Sequence, residues 1–184
     1  DASPEQLRIS EINAGVYLFD VPMLLEGLSG LTQSNSQREY YIVDLVSWAC
    51  RRGLNVVPVK LGADNLAGVN NPLELAALSL KMRDRLLAEW MLKGVKCVDP
   101  GTVWVSPRVV FHGEAFLSPN VQIWGCSEIG AGCRLGSGTI LRRCVLKGNV
   151  QCLGYVVAED IVAEENVKMG PFCFLRDGTH LLRD

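Results

Sequence analysis

An aliphatic or small apolar residue returns at every sixth position through the C-terminal half of the chain. After Leu141 two intervals shrink to five residues, and the register then resumes. A period of six fits neither an α-helix, with about 3.6 residues per turn, nor an ordinary strand of period two. We call the residues in this register the anchors: Val105, Phe111, Leu117, Ile123, Ile129, Leu135, Leu141, Leu146, Cys152, Ala158, Ala163, Met169, Leu175 and Leu181.

The six-residue period predicts a parallel β-helix of roughly four coils. Each coil would have three short faces, with one inward side chain per face stacked on its equivalent in the next coil. Turns between faces need residues that tolerate a left-handed backbone, such as those in 130–132, 136–138 and 147–149. An ordinary β-sandwich with chance spacing is the alternative.

The N-terminal segment predicts a small α/β arrangement, in the order strand, helix, helix, strand. The strands are expected at residues 11–20 and 55–60, and the first helix from Asp20 and Pro22 to Leu28. Ser36 and Glu39 have the spacing of a capping box that would open the second helix. This order is too short for a complete doubly wound sheet.

A long amphipathic helix is predicted between the two halves. Asn71 is placed as its N-cap, Pro72 at its first position and Gly94 at its end. Asn70 precedes the cap and is not expected to take part in it. We therefore predict three domains: residues 1–70 with the α/β pattern, the linker helix 71–97 and the β-helix 98–184.

Composition excludes several classes of function. The 184 residues carry a formal charge of −2, which is no signature of nucleic-acid binding, and no apolar run is long enough to span a membrane. The seven cysteines form no C-x-x-C pair, so we interpret them as reduced packing residues of a cytoplasmic protein. The chain begins at Asp1, which suggests a protein cut in mid-domain.

Few residues suggest chemistry on their own. No catalytic triad, phosphate loop or zinc spacing is recognisable, and His112 is expected to have a structural role at a turn. Asn13, beside Gly15, offers an amide either to a sugar hydroxyl or to a local turn. Asn70 offers a carbonyl oxygen either to a hard cation or to the backbone, and spacing alone favours the backbone.

Several strings nevertheless resemble one bacterial family, in matching order. They are E-I-N-A-G at 11–15, E-Y-Y-I-V-D at 39–44, G-V-N-N at 68–71 and G-P-F-C-F-L-R at 170–176. The family is the bifunctional N-acetylglucosamine-1-phosphate uridyltransferase and glucosamine-1-phosphate acetyltransferase. The resemblance implies a Rossmann-like nucleotidyltransferase half, followed by a left-handed β-helix of hexapeptide repeats that forms homotrimers.

The resemblance also implies activities and site residues. The first half would join UTP to N-acetylglucosamine 1-phosphate with Mg²⁺, giving UDP-N-acetylglucosamine for cell-wall precursors, and the second would use acetyl-CoA. Asn13 matches the residue that binds the sugar nucleotide, and Asn70 matches a Mg²⁺ ligand. Arg176 matches an arginine that contacts the sugar phosphate in the acetyltransferase site.

The chain departs from this family in ways that bear on activity. The glycine-rich uridine-phosphate loop, the second Mg²⁺ ligand and the catalytic acetyltransferase histidine have no counterpart in the sequence. Asp177 stands where the family has proline, and its carboxylate would compete with a phosphate for Arg176. We therefore expect an inactive piece of a larger enzyme. The alternatives are a non-catalytic trimerising scaffold and a pyrophosphorylase for another sugar phosphate.

Overall fold

The computed structural model describes residues 8, 11–35, 37–62, 66 and 68–183. Its contacts divide the chain into two compact units, Asp1–Gly68 and Val69–Asp184. Each unit is described by itself below, and the predicted division into three domains remains a prediction.

Two short helices form the core of the first unit: α1 spans Val21–Leu28 and α2 spans Asp44–Arg51. Asp20 caps α1 by accepting a hydrogen bond from the Met23 N–H at 3.1 Å, which confirms the predicted first helix. The predicted start of the second helix is wrong, since α2 begins at Asp44 and Glu39 lies outside it. Ser36, the other half of the expected capping box, lies outside the described residues.

The two strands predicted in the first unit are not formed. Residues 11–20 and 55–60 have no strand assignment, and their apolar side chains are largely exposed. Leu18 is fully exposed and Val59 is 77% exposed. A strand needs a neighbour to satisfy its backbone and cover its apolar face. The structure therefore does not show the Rossmann-like part of the predicted fold.

The second unit begins with helix α3, Pro72–Leu92, which confirms the predicted long helix. Its C-terminal half packs on the start of the β-helix, where Leu87 is buried. The rings of Trp90 and Phe111 lie 5.1 Å apart. Arg83 donates from Nη1 to the carbonyl of Gly101 at 2.7 Å.

Within the described residues that follow α3 there are fifteen short strands and a 3₁₀ turn at Pro100–Thr102. The strands are β1 (Lys96–Cys97), β2 (Trp104–Val105), β3 (Val110–Phe111), β4 (Ala115–Leu117), β5 (Gln122–Trp124), β6 (Glu128–Ile129), β7 (Cys133–Leu135), β8 (Ile140–Arg142), β9 (Val145–Leu146), β10 (Gln151–Cys152), β11 (Val157–Glu159), β12 (Val162–Ala163), β13 (Lys168–Met169), β14 (Phe174–Leu175) and β15 (His180–Leu181).

Every third strand joins the same sheet, so the chain winds into a parallel β-helix. Sheet A has the order β1-β4-β7-β10-β13, sheet B is β2-β5-β8-β11-β14 and sheet C is β3-β6-β9-β12-β15. Each sheet has five strands, so the described part of the chain forms five coils rather than the roughly four expected. The arrangement confirms the predicted solenoid and excludes the sandwich, and it is consistent with a left-handed β-helix.

The anchors stack on one another in the paired strands, as the period predicted. Leu117 pairs with Leu135 in sheet A, Ile123 with Leu141 in sheet B, and Ile129 with Leu146 in sheet C. The two five-residue steps are absorbed without loss of register. Sheet A advances 18 residues from β4 to β7 and 17 from β7 to β10.

The expectation of one inward side chain per face is wrong, because a second inward row lies two residues before each anchor. This row contains valines and isoleucine but also small and polar residues, including Cys133, Ser127 and Thr139, each with 0% exposure. The Ser127 hydroxyl donates to the Trp124 carbonyl at 2.9 Å and accepts from the Cys144 N–H at 3.0 Å. Buried hydroxyls are tolerated here because they are hydrogen-bonded.

The corners between sheets have a left-handed backbone, as predicted. Gly132, Asn149 and Asn166 occupy equivalent corners in three successive coils, each with positive φ. At another corner the equivalent residues are Tyr155 and Phe172, whose rings stack 5.1 Å apart. Bulky residues are uncommon in this backbone region, and the ring stacking offsets part of the cost.

Three cysteines of the β-helix pack as small apolar residues. Cys133, Cys144 and Cys152 are buried, and burial raises the pKa of the Cys152 thiol to about 12. All seven cysteines are free thiols. Within the part of the chain that the structure describes, no helix is long and apolar enough to cross a membrane.

Candidate functional site

Asn13 lies in the extended segment before α1 and uses both ends of its amide locally. Its Oδ1 accepts a hydrogen bond from the Gly15 N–H at 3.0 Å, and its Nδ2 donates to the Tyr17 hydroxyl. The positive φ of Gly15 completes this turn. The local contact that the sequence left open is therefore present, while a role in binding a sugar nucleotide remains a prediction.

Asn70 belongs to the cap of α3, contrary to the expectation from its position. Its backbone N–H donates to Glu74 Oε2 at 2.8 Å, and its Nδ2 lies 3.3 Å from the same oxygen. The Asn71 side chain accepts from the Glu74 N–H at 2.9 Å. These contacts form a reciprocal cap in which Glu74 reaches back beyond the N-cap residue.

The cap leaves one part of the Asn70 prediction untested. The cap uses the side-chain amide nitrogen of Asn70, whereas a cation would bind the side-chain carbonyl oxygen. Among the described residues, no group of three or more histidine, cysteine or acidic side chains is placed to hold a metal ion. A Mg²⁺ site at Asn70 therefore depends on ligands from outside this cap.

Arg176 follows strand β14 in the last coil, and its side chain is exposed. Its carbonyl accepts from the Thr179 hydroxyl at 2.6 Å and from the Thr179 N–H at 3.1 Å, closing the turn that contains Asp177. The turn fixes the backbone of Arg176 and leaves the guanidinium at the surface, where it has the donors that phosphate recognition needs.

The structure does not bring Asn70 and Arg176 into contact. Asn70 precedes α3, which packs on the first coil through strand β2, whereas Arg176 lies in the fifth coil. Four coil spacings of about 4.8 Å correspond to roughly 19 Å along the solenoid. Asn70 and Arg176 therefore do not lie together within one copy of this chain.

Sheet C carries polar contacts that sequence reasoning did not identify. His112 Nε2 lies 2.9 Å from Glu128 Oε2, and His180 Nε2 lies 3.0 Å from Glu164 Oε1. Each pair joins one coil to the next. The sequence spacing could have revealed these pairs, because residues about 17 positions apart face each other once the coil length is known.

Comparison with known proteins gives a consistent result along the chain. The relatives include proteins named "Bifunctional protein GlmU" from Pelobacter propionicus (32% identical), Anaeromyxobacter sp. (38%) and Thermus thermophilus (36%). The alignments cover 98–100% of this chain and 37–40% of those proteins, so the chain spans about two fifths of their length. No known family profile matches.

These similarities confirm the resemblance that the sequence motifs indicated. They include both the first unit and the five-coil solenoid, because almost the whole chain is aligned. The chain is related, along 98–100% of its length, to part of the bifunctional GlmU proteins.

Proposed function

We propose that this chain is part of a bifunctional sugar-nucleotide enzyme, the N-acetylglucosamine-1-phosphate uridyltransferase and glucosamine-1-phosphate acetyltransferase. It would comprise the end of the uridyltransferase domain, the linking helix α3 and the first five coils of a left-handed β-helix. The observation that carries the proposal is the similarity of the complete chain, solenoid included, to bifunctional GlmU proteins.

The uridyltransferase reaction places simple demands on the protein. The phosphate of N-acetylglucosamine 1-phosphate attacks the α-phosphorus of UTP, and pyrophosphate leaves. Catalysis then depends on positioning and on neutralising charge, for which Mg²⁺ is suited. In this proposal Asn13 binds the sugar nucleotide and Asn70 offers its carbonyl oxygen to Mg²⁺, with the remaining ligands supplied by the rest of the enzyme.

Binding at Asn13 requires a local rearrangement, whereas binding at Asn70 leaves its cap contacts in place. Asn13 must exchange its contacts with Gly15 and Tyr17 for ligand hydroxyls, which an exposed amide can do at modest cost. Asn70 keeps its contact with Glu74 and uses only the free end of its amide. The Glu74 carboxylate beside it adds negative charge that favours a cation.

The acetyltransferase reaction would use the β-helix. In the proposal Arg176 contacts the sugar phosphate, acetyl-CoA is the acyl donor, and three copies assemble through the solenoids in the cytoplasm. Asp177 competes for the guanidinium, so we expect Arg176 to contribute less than an arginine followed by proline. The 184-residue chain by itself is proposed to catalyse neither reaction.

The test is release of pyrophosphate from UTP and N-acetylglucosamine 1-phosphate by the intact protein to which this chain belongs. Asn13→Ala and Asn70→Ala are each expected to lower kcat/KM by about tenfold or more, since each removes a hydrogen bond or metal ligand used in the transition state. Asn70→Ala should also raise the Mg²⁺ concentration needed for half-maximal rate.

Asn55→Ala is the matched control, because Asn55 is also an exposed asparagine of the first unit. Equal losses in Asn55→Ala and Asn13→Ala would remove the assignment of Asn13. No pyrophosphate release by the intact protein would favour the second candidate, a trimerising scaffold, for which the continuous five-stranded sheets are the supporting observation.

A further inference from the structure

The outer face of sheet C contains a hollow of about 320 Å³ that none of the predicted site residues lines. Its lining includes His112, Glu128, Gly130, Ala131, Lys147 and Gly148. A volume near 300 Å³ lies at the lower end of the range for small-molecule sites.

The hollow exists because the outward row of sheet C is interrupted. His112, Gly130 and Lys147 each follow an anchor in successive coils, so their side chains point outward one above another. Gly130 leaves the middle place without a side chain. A Cβ at this position would lie 2.4 Å from the Lys147 backbone, so the packing of the coils requires glycine here.

The side chains of Lys147 and His112 flank this interruption. Lys147 lies in the coil above Gly130 and His112 in the coil below, two coil spacings or roughly 10 Å apart along the sheet. The Lys147 ammonium has three hydrogen-bond donors and accepts no hydrogen bonds. His112 Nε2 is occupied by Glu128, so an oxyanion in the hollow would accept from the Lys147 ammonium.

The backbone at the adjoining corner adds donors. The N–H groups of Ala131 and Gly148 make no backbone hydrogen bond within the part of the chain that the structure describes, whereas the Gly130 N–H donates to the Leu146 carbonyl at 2.7 Å. Glycine-rich backbone with free N–H groups is a recurrent feature of anion sites.

Two carboxylates lie near the hollow and oppose the binding of an anion there. Glu128 lies on one wall and bonds His112, and Glu164 lies in the coil above Lys147. The pKa of Glu164 is lowered by its hydrogen bond with His180 and, to a smaller extent, by the charge of Lys147. Lys147 and Glu128 carry opposite charges, so removing the Glu128 carboxylate should favour an anion in the hollow.

We propose that this hollow binds a phosphate group, free or as a small monoester, between the Lys147 ammonium and the backbone N–H groups of Ala131 and Gly148. The proposal goes beyond the proposed function, because it concerns the first three coils and none of the residues assigned to either reaction.

The experiment is titration of the 184-residue chain with inorganic phosphate at constant ionic strength, followed by the amide NMR shifts of Gly130, Ala131 and Gly148. Saturable shifts confined to these residues are expected. Lys147→Met should weaken binding by at least about fivefold, and Glu128→Gln should tighten it by removing the opposing charge.

Lys168→Met is the control, since Lys168 is an exposed lysine on sheet A, away from the hollow. Equal weakening by Lys147→Met and Lys168→Met, or shifts that never saturate, would overturn the proposal. Glycerol phosphate forms a second arm of the titration. Tighter binding of this monoester assigns a phosphate ester as the ligand, and tighter binding of inorganic phosphate assigns free phosphate.

Discussion

The β-helix and the N-terminal unit carry similar apolar side chains but bury them to very different extents. Leu135 has 0% exposure in the solenoid, whereas Leu18 is fully exposed in the first unit. In the β-helix the strands from β2 onward find a partner 17 or 18 residues away in the same chain, and β1 pairs with β4 at a separation of 20. In the first unit residues 11–20 and 55–60 form no strands. Apolar content therefore does not determine burial unless the topology supplies a partner surface.

The largest expected effect comes from removing an anchor. Leu135→Ala should destabilise the β-helix by about 2–5 kcal/mol, because Leu135 is enclosed between Leu117 and Cys152 and leaves a cavity. Leu18→Ala is expected to change stability by less than about 0.5 kcal/mol. Urea unfolding followed by circular dichroism measures both. A comparable loss in the two variants would contradict the contrast between the two regions.

A smaller effect is expected from two glycines that occupy the same place in the repeat. Gly130→Ala should cost about 1–3 kcal/mol, since its Cβ would lie 2.4 Å from the Lys147 backbone. Gly170 also follows an anchor, but no atom lies within 4 Å of a Cβ built there, so Gly170→Ala should be nearly neutral. Thermal unfolding midpoints measure both effects. Midpoints equal to that of the unsubstituted protein in both variants would contradict the predicted difference between the two glycines.

The smallest effect concerns an exposed ion pair at a corner. Hydrogen bonds from Arg143 lower the pKa of Asp160 below its ordinary value of 3.8. Because the folded-state pKa is the lower one, this contribution is present above pH 3.8 and is lost as pH falls through the folded value.

Asp160→Asn should therefore reduce the loss in free energy of unfolding as the pH falls through the acid range. Above neutral pH the variant should show little change in the pH dependence of that free energy. Glu165→Gln, which removes another exposed carboxylate of the solenoid, is the control. Urea midpoints measured between about pH 2 and pH 7 provide the test. An unchanged acid slope in Asp160→Asn would show that the pair with Arg143 contributes nothing measurable.

The sequence predicted the β-helix well because its period is imposed by geometry. An anchor must point inward at each face, so a six-residue spacing with two five-residue steps was sufficient to assign the stacked columns. The second inward row was missed because it mixes Ser127, Cys133 and Thr139 with valines. Such residues show no hydrophobic period, and their burial depends on hydrogen bonds that only the coiled backbone provides.

The first unit and the candidate sites were less predictable for a different reason. Alternating apolar residues specify a strand only when another strand lies alongside, which residues 11–20 lack. Asn13 and Asn70 were identified by their resemblance to a family, and the structure adds local contacts that spacing did not reveal. The hollow on sheet C depends on residues that are distant in sequence and meet only after the coil length is fixed.

The stacking of equivalent residues has a consequence for how such a protein can change in length. Because each coil contacts only its neighbours, inserting or deleting one complete coil leaves the stacking of side chains in the remaining coils unchanged. Adding a single residue within a strand instead turns the following side chains to the opposite face. Tandem duplication in whole-coil steps is thus a route by which this architecture can grow while the existing surface chemistry stays in place.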